Sequence, residues 1–161
     1  MIYPSIMAMK FAAAANDPNY TPGDYQPKPW EPVHYFFYGS LMDDQKLTEI
    51  LRLKSTPVLR PASIVGYSIK MWGPYPTLVD GPPGNVVNGM VYEVQQQDHE
   101  KRLAYYETDA YRSRSCDIKL GEGGEEIVGK TFVWASDPND EDLSPGSFDL
   151  EAWKKAHYAS R

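Results

Sequence analysis

Two short segments carry the residues that could do chemistry in this chain. The first is Tyr38-Gly39-Ser40-Leu41, which closes the run His34-Tyr35-Phe36-Phe37 and opens a helical pattern; the second is Tyr105-Tyr106-Glu107. A Gly-Ser turn between a strand and a helix leaves backbone N–H groups without intrahelical acceptors, and such groups bind a carboxylate or phosphate without help from Lys or Arg. A glutamate bracketed by tyrosines at the end of a helix has its charged form disfavoured by the macrodipole and, when buried, by desolvation, so its pKa rises toward neutrality. Such a group can take a proton from an amine and return it to a leaving group. The chemistry in prospect is anion binding joined to proton transfer. Each segment also has a plainer reading, with Ser40 as a simple helix N-cap and Glu107 as an exposed acid after a helix end.

The elements that must position these residues follow from pattern. The aromatic and apolar run over 33–38 predicts a buried strand, and Gly39 allows a backbone turn that a Cβ would resist. Residues 42–53 carry Leu47, Ile50 and Leu51 at helical spacing, with Ser40 as the expected N-cap and Asp43 and Asp44 at the positive end of the dipole. The pattern then turns to β over 62–72, 77–79 and, after Gly81-Pro82-Pro83-Gly84, over 85–94. A second helix is predicted over 96–107, placing Glu107 at its end. Strands over 111–120 and 127–136 flank the hairpin signal Gly121-Glu122-Gly123-Gly124, and a last helix over 149–158 has Ser147 or Asp149 as N-cap. The sum is an α+β domain, a small mixed, mostly antiparallel β-barrel with flanking α-helices rather than a doubly wound parallel sheet.

Wider bounds narrow the function. A chain of 161 residues forms one compact domain, and a net charge of −6 without a basic stripe argues against nucleic-acid or anionic-membrane partners. Cys116 is the single cysteine, which rules out an intrachain disulfide and a thiolate metal site and leaves it a structural role in a strand. His34, His99 and His157 are scattered, so no histidine metal site is expected. Residues 1–31 read as an extended or disordered arm rich in proline, followed by a domain over 32–161. The apolar stretch from Met9 to Ala15 is too short for a membrane span or a secretory signal, so a cytoplasmic location is expected.

Three motifs in order, Tyr38-Gly39-Ser40-Leu41, Tyr75-Pro76-Thr77-Leu78 and Leu103-Ala104-Tyr105-Tyr106-Glu107 followed by Tyr111-Arg112, resemble the γ-glutamylcyclotransferase-like family in its AIG2-like branch, its fungal members most. The resemblance spans residues 34 to 136. It implies a compact mixed barrel whose cavity is lined by the first loop and the acid. The loop Tyr38, Gly39, Ser40 and Leu41 then holds the γ-glutamyl group, and Glu107 falls on the catalytic glutamate. The implied reaction is attack of the α-amine on the side-chain carbonyl of the same γ-glutamyl group, releasing 5-oxoproline and a free amine or amino acid. No cofactor enters it.

Other positions are open on their residue types. Tyr75 with Pro76 shapes the cavity wall or is a turn packed for structure; Tyr111 lines the pocket; Arg112 or Arg114, alternating on one strand face, neutralises a substrate carboxylate or is an ordinary solvated residue. Where many relatives carry Gly after the acid, this chain has Thr108. Three functions fit: a γ-glutamylcyclotransferase, a tailoring enzyme of specialised metabolism using the same site for another acyl transfer, cyclisation or isomerisation, and a non-catalytic binding module. The expected partner is a small-molecule γ-glutamyl or related substrate, with a homodimer left open.

Overall fold

The computed structural model describes residues 28–121 and 124–159. Most of the arm expected over 1–31 lies outside the described residues, as do Glu122 and Gly123 of the hairpin turn. Residues Glu31–Arg161 make up one unit. Its elements run β1 (Val33–Phe37), α1 (Asp44–Leu51), β2 (Arg60–Val65), β3 (Tyr67–Trp72), β4 (Tyr75–Asp80), β5 (Val86–Val94), α2 (Gln97–Glu107), β6 (Tyr111–Leu120), β7 (Glu126–Trp134), β8 (Leu143–Ser144) and α3 (Leu150–Ala159).

Five strands close a barrel in the order β1-β5-β2-β6-β7. Four of its pairings are antiparallel, and β7 closes on β1 in parallel. The fold is the mixed barrel with flanking helices expected above. The unbroken apolar run of β1 follows from burial on both faces. Phe36 joins Ile64, Val91, Ile118 and Val133 in the barrel core, with Leu78 of β4 among them, and each such side chain contributes about 2–3 kcal/mol of transfer free energy. On the other face Tyr35 stacks on Phe132 at 5.3 Å and donates a 2.6 Å hydrogen bond to Glu100 of α2. The barrel closes tightly at Gly89, where a Cβ would lie 2.1 Å from the Phe37 carbonyl oxygen and 2.7 Å from Phe36 Cζ.

The single strand expected over 62–72 is two strands. Gly66 takes φ 93°, a left-handed conformation that L side chains rarely adopt, and the chain leaves the barrel there. It builds a second sheet in the order β4-β3-β8. The β3–β4 hairpin is pinned at its base, where Gly66 N–H donates to Asn85 O (2.8 Å) and Gly81 N–H to Gly66 O (2.9 Å). Its tip is the two-residue turn Gly73-Pro74, with Trp72 paired to Tyr75 and Gly73 at φ 58°. The short strand β8 has no pattern signal in the sequence.

The helices cover the outside through Leu47 and Leu51 of α1 and Leu103 of α2, all buried. The first helix is shorter than its pattern. Residues Ser40–Met42 form a 3-10 turn, Asp43 rather than Ser40 is the N-cap and accepts from Lys46 N–H at 3.2 Å, and Arg52 at φ 56° ends the helix. An aspartate at position 43 outcompetes the serine because its carboxylate reaches a free N–H of the α-helical first turn. Helix α3 is capped by Asp149, whose carboxylate accepts from Ala152 N–H at 3.1 Å. It is tied to the start of α1, with the Tyr158 hydroxyl donating to the Asp43 carboxylate and Lys154 Nζ 3.8 Å from Asp43 Oδ1.

Candidate active site

A cavity of about 340 Å³ opens where five segments meet: the end of β1 with the loop after it, the end of α2, the start of β6, the tip of the β3–β4 hairpin and Phe132 of β7. That size lies in the range of small-molecule sites. The structure brings Tyr38, Gly39, Ser40, Leu41, Tyr75, Glu107 and Tyr111 together in its lining. Arg112 is placed elsewhere, in an adjoining groove that it shares with Glu100, Asp109 and Lys130. Arg114 is committed to Asp80, with Nη1 2.7 Å from Oδ1.

The loop is held from three directions. Tyr38 points its hydroxyl to Phe132 O at 2.7 Å, Ser40 Oγ lies 2.7 Å from the Tyr106 hydroxyl, and Leu41 is buried. Gly39 has φ −128° and ψ −144°, outside the left-handed region that favours glycine. The constraint is space, because a Cβ at position 39 would lie 3.0 Å from Pro76 Cγ. The turn bonds of Ser40–Met42 use the N–H groups of Met42 and Asp43; among the described residues those of Gly39, Ser40 and Leu41 have no backbone acceptor. Three donors are thus left beside the cavity.

Glu107 occupies the last position of α2, as its helical pattern predicts. It lines the cavity, part-buried, and desolvation of its carboxylate raises its pKa from the usual 4.5 to about 7. Among the described residues Glu107 forms no ion pair. The next residue, Thr108, caps the helix at φ 63° and ψ −177°, a region natural to glycine, with its N–H bonded to Ala104 O at 3.1 Å. A β-branched residue there stores backbone strain beside the carboxylate.

Three tyrosines surround the acid as neutral donors. Burial, and then the Glu107 charge, raise the pKa of Tyr38 and Tyr111; burial raises that of Tyr106. Tyr111 donates to Pro76 O at 3.0 Å, which links β6 to the hairpin. Tyr75 stands 55% exposed at the cavity mouth.

Trp72 and Phe132 line the cavity although their residue types alone did not single them out. For Trp72 a signal existed: Gly73-Pro74 between two β patterns is a hairpin turn, and a two-residue turn sets Trp72 opposite Tyr75. Among the described residues no three of His, Cys, Asp or Glu cluster as metal ligands, and no helix is long and apolar enough to cross a membrane. The site can bind an anionic group through backbone donors and exchange a proton near neutral pH.

Comparison with known structures supports the fold. Two solution structures from Arabidopsis thaliana align with TM-scores of 0.61 and 0.60, each 24% identical in sequence; the first covers 84% of this chain and 81% of its own, the second 83% and 87%. A γ-glutamyl cyclotransferase specific to glutathione from yeast aligns with a TM-score of 0.55 at 14% identity, over 81% of this chain and 87% of its own. No curated protein sequence matches the chain. The family described as γ-glutamyl cyclotransferase, AIG2-like, matches residues 35–155, which extends beyond the cavity segments into α3, and the chain therefore belongs to that family.

Proposed function

We propose that this protein is a γ-glutamyl cyclotransferase that releases 5-oxoproline and a free amine from a γ-glutamyl amine or peptide, with Glu107 as its acid and base. The observation that carries the reading is that Glu107, whose pKa burial raises toward neutrality, shares one cavity lining with Gly39, Ser40 and Leu41, whose N–H groups have no backbone acceptor among the described residues. A glutamate kept for structure would commonly sit in an ion pair, and among the described residues Glu107 forms none. This favours an enzyme over a binding module.

The reaction follows from these groups. The α-ammonium of the γ-glutamyl group gives a proton to the Glu107 carboxylate, and the amine nitrogen attacks the side-chain carbonyl carbon, forming the C–N bond of the lactam. The bond to the departing nitrogen then breaks as that nitrogen takes the proton from Glu107, and the ring nitrogen, which still carries two protons after the attack, gives one through the regenerated carboxylate to the departing amine, which leaves as an ammonium. Atoms and charge balance, and the carboxylate is regenerated. Nucleophile and carbonyl belong to one molecule, so acceleration comes from holding it folded, with the loop N–H groups anchoring its carboxylate or the developing oxyanion.

The test is 5-oxoproline release by the purified protein from γ-glutamyl amines, γ-glutamyl amino acids and glutathione, with Glu107→Gln in parallel. Release should fall about a thousandfold in a variant that keeps its fold, since the amide preserves shape and removes the proton acceptor. Near wild-type release by Glu107→Gln would refute the assignment. No release from any substrate would move the reading to another acyl transfer, cyclisation or isomerisation at the same site.

A further inference from the structure

The part of the cavity lining built by Trp72, Tyr75 and Tyr111 is aromatic and carries no positive charge. Among the described residues the whole lining holds one carboxylate, Glu107, and no Lys, Arg or His. Cations near the lining are engaged outside it: Arg114 pairs with Asp80, and Lys46 stands 5.6 Å over the Tyr106 ring and 3.9 Å from Glu49. Arg112 faces the adjoining groove with Asp109 and Glu100.

The aromatic wall is built at the hairpin tip. Trp72 lies 6.2 Å from Tyr75 and 6.4 Å from Tyr111, the latter edge to face at 67°. Trp134 backs both from behind, 5.1 Å from Trp72 and 5.9 Å from Tyr111. The Tyr111 hydrogen bond to Pro76 O and the Gly73-Pro74 turn fix the wall before any ligand arrives. Rings at these spacings offer both faces and edges to another ring.

Resting on the cyclotransferase reading, we infer that the site selects γ-glutamyl derivatives whose leaving amine carries an aromatic ring and no charge. The γ-glutamyl end takes the loop donors and its α-amine and scissile nitrogen meet Glu107, so the rest of the departing amine is left to the wall of Trp72, Tyr75 and Tyr111. A leaving amino acid would bring a carboxylate beside Glu107 with no cation to pair it, and an unpaired buried charge is costly. A leaving diamine would bring an ammonium that pairs with Glu107 and weakens it as a base. An uncharged aliphatic amine suffers neither cost but forgoes the ring contacts.

The experiment compares kcat/KM for four compounds: γ-glutamylphenethylamide, γ-glutamylphenylalanine, which differs from it by one carboxylate, γ-glutamylcadaverine and γ-glutamylisopentylamide. The phenethylamide should exceed each of the others by about tenfold or more. In Trp72→Leu its advantage over the isopentylamide should collapse, a ratio that a general loss of folded enzyme does not change. Equal or better turnover of the phenylalanine, cadaverine or isopentyl compound overturns the inference while leaving the cyclotransferase reading in place. No release from any of the four, or from glutathione, overturns both.

Discussion

Ser40 Oγ and the Tyr106 hydroxyl lie 2.7 Å apart, joining the loop that carries the free N–H groups to the residue immediately before Glu107. The two residues are 66 positions apart in sequence, and this hydrogen bond ties their segments together across the fold. On the proposed cyclotransferase reading, it would join anion binding to proton transfer through one contact.

If that contact positions the loop, Ser40→Ala and Tyr106→Phe should each raise KM about fivefold, the loss of one hydrogen bond worth about 1 kcal/mol. The double variant should be no worse than either single one. Steady-state kinetics on the four proteins of this cycle measure the coupling directly, and additive effects would show that the two hydroxyls act independently.

A base with a pKa of about 7 makes the rate depend on pH. Below pH 7, kcat/KM should drop about tenfold for each unit as Glu107 becomes protonated, giving an ascending limb with its midpoint near 7. A profile that stays level between pH 5 and 7 would contradict Glu107 as the base.

The same shift makes Glu107 a cost to stability. Its folded pKa lies above its ordinary value, so the folded state binds the proton more tightly; the resulting stabilisation is complete below about pH 4.5 and is lost as pH rises through about 7. The loss amounts to about 3 kcal/mol. Glu107→Gln should match the wild type in urea denaturation at pH 4.5 and exceed it by roughly that amount at pH 8. A variant less stable at pH 8 would show that the carboxylate is not held in a desolvated setting.

Thr108 at φ 63° and ψ −177° holds a conformation that costs a residue with a Cβ on the order of 1–3 kcal/mol. Thr108→Gly removes that strain at the expense of greater freedom in the unfolded chain, for a net gain of about 1 kcal/mol. Thermal unfolding should therefore shift upward. A downward shift would mean that the 3.3 Å hydrogen bond from Ala110 N–H to Thr108 Oγ1 outweighs the backbone strain.

Much of this site could be read in the linear chain. Local pattern suffices for the strand that ends at Tyr38, the helix that ends at Glu107 and the strand that begins at Tyr111, because each depends on near neighbours in sequence. The family resemblance also rests on short contiguous motifs. A pattern of turns and alternating residues was enough for the barrel class, since period and chain breaks are local properties.

Distance across the fold decided the rest. The exit of β3 and β4 from the barrel depends on Gly66 taking a left-handed conformation, and only that detour carries Trp72 over the cavity. Asp43 displaces Ser40 as the cap because a 3-10 turn intervenes, which frees Ser40 for Tyr106. Arg112 follows Tyr111 directly on β6 yet lines only the adjoining groove, whereas Tyr111 lines both that groove and the cavity. The pKa of Glu107 is the clearest case. Residue types could place an acid at a helix end, but desolvation sums over every atom packed around a carboxylate, and those atoms come from segments that meet only when the barrel closes.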